Sequence, residues 1–406
     1  MASTESRAHD VVLFGATGFV GKLIAQHLAE TAGDGVRIAL AGRDRAKLLA
    51  VRGSLPGQAA QWPLVEADAR DEASLAALAE STRVVLTTVG PYLTSGYGLA
   101  KACAEAGTHY ADLTGEVLFV RRTVAELHET ARRTGARIVH SCGFDSMPSD
   151  LAVWLTARAA ADADAGSLTR TTTYVRTLRG AVSGGTVASG VGIMDAVDAD
   201  PALGPVAGDP NALLPEGAPR LTSDRVLLEK DAERKHWCVP FFMGGFNRQI
   251  VNRSNALAGY AYGRAFSYRE MHDLGGGPAG LARAVGLATG SSIGRAALGF
   301  GPTRAALDRV LPGSGDGPSE KTMANGKVEL EVIADTTTGD RFVTTAAVDK
   351  DPGYTGTAIM IGQAALALAQ DELPGEGGVL TPATALGGLL VERLRAHGFR
   401  FATVRR

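Results

Sequence analysis

Seven residues, Gly15-Ala16-Thr17-Gly18-Phe19-Val20-Gly21, place three glycines at a spacing suited to holding a phosphate group. They follow the apolar run Val11–Phe14 and open a stretch in which Val20, Leu23, Ile24 and Leu28 recur at helical spacing. A helix N-terminus behind such a turn offers unpaired N–H groups and a positive dipole end to an anion. Glycine is needed where the chain turns tightly, where backbone must approach a pyrophosphate, and where helix and strand pack closely. Gly15, Ala16, Thr17, Gly18, Phe19, Val20 and Gly21 are therefore read as a dinucleotide-binding turn. The second strand ends Leu40-Ala41-Gly42-Arg43. An acid at that strand end would bind a free ribose 2′-hydroxyl, whereas Arg43, with Arg45 and Lys47 close by, suits a 2′-phosphate. The expected cofactor is NADP(H). Asp68, after the third strand, is expected at the adenine region. Val89, Gly90, Pro91 and Tyr92, after the fourth, are expected along the pyrophosphate and nicotinamide ribose, because ligands sit at the carboxyl ends of parallel strands.

Hydride transfer asks the protein mainly for placement. An accompanying proton transfer, or polarisation of a carbonyl, asks for acids and donors at the same sheet edge. Asp112, Thr114 and Glu116 follow the fifth strand, Asp145 and Ser146 the sixth, and Tyr92 and Tyr97 the fourth. Tyr97, Asp112 and Asp145 are the catalytic candidates. Each has a structural alternative: Asp112 and Glu116 as caps of the helix near Leu118, Asp145 as a helix-start or loop residue, and Tyr97 as a helix start. Tyr97-Gly98-Leu99-Ala100-Lys101 has the Tyr-x-x-x-Lys spacing by which short-chain reductases lower a tyrosine pKa, but it comes one strand too early for them. His109 and His140 read as structural, and no spacing suggests a metal site.

The elements that position these residues alternate strand and helix through His140, which implies a parallel sheet with right-handed crossovers. The pattern then changes. A helix opens at Pro148 and runs through Leu155, Thr169–Leu178 reads as a strand, and Gly184–Val197 as a glycine-rich helix. Asp200–Pro219, with five prolines, reads as a long loop. Arg225–Leu228, Trp237–Phe242 and Gln249–Asn252 are expected strands, and Pro312–Pro318 a loop. Val328–Ala334 and Phe342–Asp349 suggest a hairpin around Thr338-Gly339-Asp340. Helices from Tyr354 to about Ala369 and over Pro382–His397 close the chain. Trp237, Phe241, Phe242, Met243 and Phe246, then Tyr260, Tyr262, Phe266 and Tyr268, form either core or the wall of an apolar, lipid-like small-molecule substrate. Arg248 and Arg253 are placed to meet an anionic group on it.

Composition narrows the class. The 406 residues suggest two domains, and 45% apolar with 21% charged residues is the balance of a soluble globular chain. A net charge of −2 without clustered Lys and Arg excludes a broad nucleic-acid surface. Cys103, Cys142 and Cys238 are widely spaced and odd in number, which fits a reducing cytoplasm rather than a disulfide framework. Met1–Asp10 lacks the apolar core of a signal peptide. Leu281–Phe300 is interrupted by Arg283, Arg295 and several glycines, short of the ~20 clean apolar residues a membrane span needs. It reads instead as a face for lipid or an apolar pocket, so peripheral membrane association accompanies the cytoplasmic expectation.

Several motifs together carry a resemblance. They are Gly15–Gly21, Ala41-Gly42-Arg43, Val89-Gly90-Pro91-Tyr92, the run His109–Glu116 and the run Gly143–Asp150. Ser183-Gly184-Gly185-Thr186, Gly317-Pro318-Ser319 and Asp351-Pro352-Gly353-Tyr354 complete the set. The chain resembles the saccharopine dehydrogenase-like oxidoreductases over nearly its whole length, nearest to the actinobacterial trans-acting enoyl reductase branch. The resemblance implies an α/β protein: a Rossmann domain with a parallel sheet (residues 1–147 and 352–406), a second α/β (α+β) substrate and dimerisation domain (148–351), and C-terminal helices that return to the first. It also implies NADPH-dependent reduction of a carbon–carbon double bond on a lipid or polyketide-type intermediate. An imine or ketone reductase on the same scaffold, and a non-catalytic NADP(H) sensor or lipid-binding protein, stay open. A homodimer is expected on general grounds.

Overall fold

The computed structural model describes residues 7–180, 184–222, 226–298 and 317–406. The chain divides into two units. The first is Met1–Met147, Gly315–Ser319 and Gly353–Gly398; the second is Pro148–Ser314, Glu320–Pro352 and Phe399–Arg406.

The first unit begins β1 (His9–Phe14), α1 (Phe19–Thr31), β2 (Ile38–Gly42), α2 (Arg45–Gly53), β3 (Leu64–Glu66) and α3 (Glu72–Glu80). It continues β4 (Thr82–Thr87), α4 (Tyr92–Ser95), α5 (Tyr97–Ala106), β5 (His109–Ala111), α6 (Val117–Thr134) and β6 (Arg137–Val139). Val11–Phe14 and all of β2 are buried, as expected for strands covered on both faces. Helix α6 buries Val117, Val120, Leu127 and Ala131 along one stripe, the spacing of an amphipathic helix.

The chain leaves through α7 (Met147–Asp162), longer than the predicted helix, and enters β7 (Leu168–Arg179) and α8 (Gly184–Ala199). The expected long loop contains a short helix, α9 (Leu203–Gly208). Next come β8 (Glu229–Lys230), β9 (His236–Pro240), α10 (Gly244–Leu257), β10 (Ser267–Gly276) and α11 (Gly277–Leu298). Gln249–Asn252, predicted as a strand, lies inside α10. Its Ile250-Val251 pair is flanked by Gln249, Asn252 and Arg253, which are buried as well, so the helical period is hidden. Strand β10 was not predicted. The hairpin is present as β11 (Lys327–Thr336) and β12 (Arg341–Val348), antiparallel. Ser183, Arg225 and residues 312–316, all within predicted elements or motifs, lie outside the described residues.

The return begins with a π-helical turn, Pro352–Gly356, and the helix Thr357–Gln370, which is buried at every position but its last. A helix apolar all round belongs inside a core, and this one packs on α1, β1, β4 and β5. Strand β13 (Gly378–Leu380) then pairs parallel with β6, and the helices Pro382–Ala385 and Gly387–Ala396 follow. The first sheet reads β13-β6-β5-β4-β1-β2-β3, and every pairing in it is parallel. The chain does not end there. Strand β14 (Arg400–Arg405) pairs with β12, so Phe399–Arg406 belongs to the second unit, and the boundary expected at residue 406 falls at 398. The second sheet reads β14-β12-β11-β7-β10-β9-β8, antiparallel except between β7 and β10. No helix among the described residues is long and apolar enough to cross a membrane.

Inside the second unit, the buried Glu270 carboxylate on β10 accepts hydrogen bonds from the Ser149 hydroxyl and from Asn247 Nδ2, the latter at 2.7 Å. Burial raises its pKa to about 7 against the pull of those bonds. The folded value lies above the unfolded one, so the protonated group stabilises the fold at acid pH, and that contribution is lost as pH rises through about 7. Glu270→Gln is expected to unfold in urea later than the parent by about 3 kcal/mol near pH 8 and together with it near pH 4. Equal unfolding curves at both pH values would contradict this.

Candidate active site

The glycines of the turn do three different jobs. Gly15 has φ +94°, and a side chain there would begin 2.6 Å from Thr88 Oγ1. Gly21 faces the Gly15 carbonyl so closely that its Cβ would lie 2.2 Å from the oxygen. Both are therefore demanded by the fold. Gly18 is not: its Cβ would meet only Gly15 O, at an ordinary 3.5 Å, and its φ of −71° suits any residue. The open space at Gly18 is what a backbone needs if a pyrophosphate is to approach it. Helix α1 starts next, with no side-chain cap, and its own bonding begins at Lys22 N–H to Gly18 O. The N–H groups of Phe19, Val20 and Gly21 precede that first bond. The turn is held from both sides. Gly15 and Ala16 N–H donate to Ala41 O at the end of β2, and Thr88 Oγ1 donates to Gly15 O beyond the end of β4. These features fit a dinucleotide phosphate.

At the end of β2, Arg43 is exposed and makes no hydrogen bond or ion pair among the described residues, while Arg45 meets Glu66 at 3.4 Å and Lys47 meets Asp44 at 3.8 Å. Asp68, after β3, accepts from the Arg70 backbone and guanidinium, and these bonds hold its carboxyl below the usual range. Its carboxylate is thus already engaged by Arg70.

The loops after β4, β5 and β6 are tied by buried carboxylates. Glu116, 1% exposed, accepts from Tyr92 N at 3.0 Å and Leu93 N at 2.6 Å. It was expected to cap α6 but caps the short α4 instead; α6 has no side-chain cap. Asp112, 0% exposed, accepts from Thr114 N at 3.1 Å, Ser141 N at 3.0 Å and His140 Nδ1 at 2.7 Å. His140 Nε2 meets Thr123 Oγ1 at 2.8 Å. Asp112 therefore fixes the β5 and β6 loops rather than α6. Ser141 takes φ +63°, an uncommon state for a residue with a side chain, and its hydroxyl donates to Thr114 O. Tyr92 is buried; its hydroxyl donates to Thr87 O and accepts from Leu113 N, and burial raises its pKa, so the phenol stays protonated. The peptide Gly90–Pro91 is cis. No local pattern signals these pairings, because both carboxylates reach across to residues of another loop.

Tyr97 donates to Glu126 Oε2 at 2.5 Å, and the Arg122 guanidinium lies 3.5 Å above its ring. Burial and Glu126 raise its pKa, and Lys101 pairs with Glu105 at 3.0 Å. That is the reverse of a tyrosine made acidic by its lysine. Asp145 is half-buried on the turn between β6 and α7. In the second unit Tyr262, Phe266 and Tyr268 pack as core, whereas Phe242 is 58% exposed. Arg253, proposed to meet an anion, is buried and donates to Leu213 O. A further buried cation, Arg176, is ringed by Asp231, Asp273 and Glu331. No group of His, Cys, Asp and Glu among the described residues could hold a metal ion.

Residues 11–139 match the saccharopine dehydrogenase NADP-binding domain. The chain is 44% identical to a Mycobacterium tuberculosis (strain H37Rv) protein provisionally named a trans-acting enoyl reductase, over 98% of both chains. It is 43% identical to a trans-acting enoyl reductase of Mycobacterium bovis, over 99% of both. Among solved structures, apo saccharopine dehydrogenase (L-Glu forming) from Saccharomyces cerevisiae aligns over 98% of this chain and 100% of that one, with a TM-score of 0.54. At 15% identity that likeness is one of fold.

Arg43 yields a direct prediction. Arg43→Asp should weaken NADPH binding about 10–100-fold, the worth of charge-assisted bonds to a phosphate, and leave NADH binding equal or tighter. With no ion pair to lose, thermal stability should hold. Unchanged preference for NADPH, read by fluorescence titration of both cofactors, would remove Arg43 from the site.

Proposed function

The chain belongs to the trans-acting enoyl reductases and carries a saccharopine dehydrogenase NADP-binding domain, and from that premise we propose that it reduces the carbon–carbon double bond of an enoyl group on a lipid or polyketide-type intermediate. The cofactor is NADP(H). The observation that carries the reading is the reach of the identity, which spans 98% of both chains and so includes the second unit, where the cofactor motif does not extend.

When bound, NADPH supplies the hydride. Everything else falls to the chain. Gly15–Gly21 and the first turn of α1 hold the pyrophosphate, Arg43 receives the 2′-phosphate, and Asp68 with its Arg70 partner stands at the adenine side. Val89, Gly90, Pro91 and Tyr92 line the nicotinamide ribose with backbone, since the Tyr92 side chain is turned into the core. Hydride delivery to the β-carbon of an enoyl group must be matched by a proton at the α-carbon. Of the three acids considered, Tyr97 holds its proton, its pKa raised by burial and by Glu126, and Asp112 is fully buried. We assign the proton donor to Asp145, which is half-buried on the turn after β6, at the carboxyl edge of the first sheet. Substrate recognition and the contact of a homodimer are assigned to the second unit, whose exposed Phe242 offers apolar surface.

NADPH consumption with a panel of enoyl, keto and imine substrates tests the reading. Turnover is expected on enoyl thioesters; turnover confined to ketones or imines would overturn it. Asp145→Asn should lower kcat by about 100-fold or more, the usual worth of a positioned general acid, with NADPH affinity kept. An unchanged kcat would move the proton to another donor.

A further inference from the structure

We propose that Gly317 and Tyr354 are positioning residues of the dinucleotide site, acting through Phe19; the inference rests on the cofactor reading of the Gly15–Gly21 turn. Phe19 is the first residue of α1, directly after Gly18. Its ring takes no part in the buried stripe of that helix, which runs through Ile24, Ala25 and Leu28. It is packed instead by two residues from far along the chain. Tyr354, 2% exposed, meets it edge-on with ring centroids 5.2 Å apart and planes at 84°. Gly317 lies against it so closely that a side chain there would begin 2.1 Å from Cε2 and Cζ of the ring.

The glycine at 317 is explained by that ring. The contact that excludes a side chain there is Phe19 itself. Gly317 groups with the first unit, as Phe19 and Tyr354 do. Tyr354 sits in the π-helical turn Pro352–Gly356, a rare form often found at functional sites. Both late motifs therefore converge on one side chain of the glycine turn. An aromatic ring held on two sides loses its rotamer freedom, and the backbone of its residue is held with it. Phe19 N–H, Val20 N–H and Gly21 N–H are the groups that precede the first helical bond of α1. Fixing Phe19 fixes the direction in which they point, without Gly317 or Tyr354 touching a ligand.

Equilibrium binding to the whole protein tests this with two probes. NADPH uses the turn; adenosine 2′-monophosphate carries the 2′-phosphate but has no pyrophosphate. Gly317→Val is expected to weaken NADPH about tenfold or more and to leave adenosine 2′-monophosphate within about twofold. Tyr354→Leu should do the same to a lesser degree, and stands as the test should Gly317→Val not fold. Adding Phe19→Ala to Gly317→Val removes the clash, so the double variant should bind NADPH within about threefold of Phe19→Ala alone. NADPH affinity unchanged in Gly317→Val and Tyr354→Leu, or both probes lost equally, would overturn the proposal. Failure of the unmodified protein to bind NADPH would instead sink the cofactor reading on which it rests.

Discussion

The first turn of α1 rests on the carbonyl of Gly15, and only hydrogen fits at residue 21. That contact sets how steeply the helix leaves the sheet, and so where its first N–H groups point. The carbonyl is not free to move aside, because the Gly15 and Ala16 amides are bonded to β2 and the Gly15 oxygen accepts from Thr88. The turn is thus determined by the ends of two neighbouring strands before any ligand arrives. Its one slack position is Gly18, where the fold would accept a side chain and a phosphate would not.

The same economy governs the acids at this sheet edge. Glu116 and Asp112 are fully buried, and their carboxylates are satisfied by backbone N–H groups and one imidazole. A buried carboxylate in that state organises loops and is poorly placed to exchange protons with a substrate. Hydride transfer tolerates this, since it needs a held cofactor more than a reactive side chain. What the protein invests in the site is geometry: three loops, after β4, β5 and β6, are locked to one another, and Thr88 of the first of them also holds the glycine turn.

Much of the first unit could be read from residue types, because strands buried on both faces are continuous apolar runs, and the glycine spacing needs no tertiary context. The second unit resisted for a physical reason. Strand β10 spends Arg269 on Glu229, and Asp273 on Arg176 and His236, so a paired ionic face replaces the apolar alternation that marks a strand. Helix α10 buries Asn247, Gln249, Asn252 and Arg253 together with its apolar residues, which erases its period. Strand β14 is flanked by arginines paired to Asp349 and Asp340 and reads locally as a polar tail. The candidate site divides the same way. The glycine turn was legible as a strand–turn–helix unit and Arg43 as a cation at the end of β2, whereas the loop-tying bonds of Glu116 and Asp112 run chiefly to other loops, which no local pattern encodes.

The most direct measurement is the fate of the hydride. With NADPH deuterated at the transferring position of nicotinamide C4 and an α,β-unsaturated thioester in ordinary water, the product should carry one deuterium at the β-carbon and one solvent-derived hydrogen at the α-carbon. A saturated product without deuterium, or deuterium on a carbinol or amine carbon with the double bond intact, would contradict enoyl reduction by this chain.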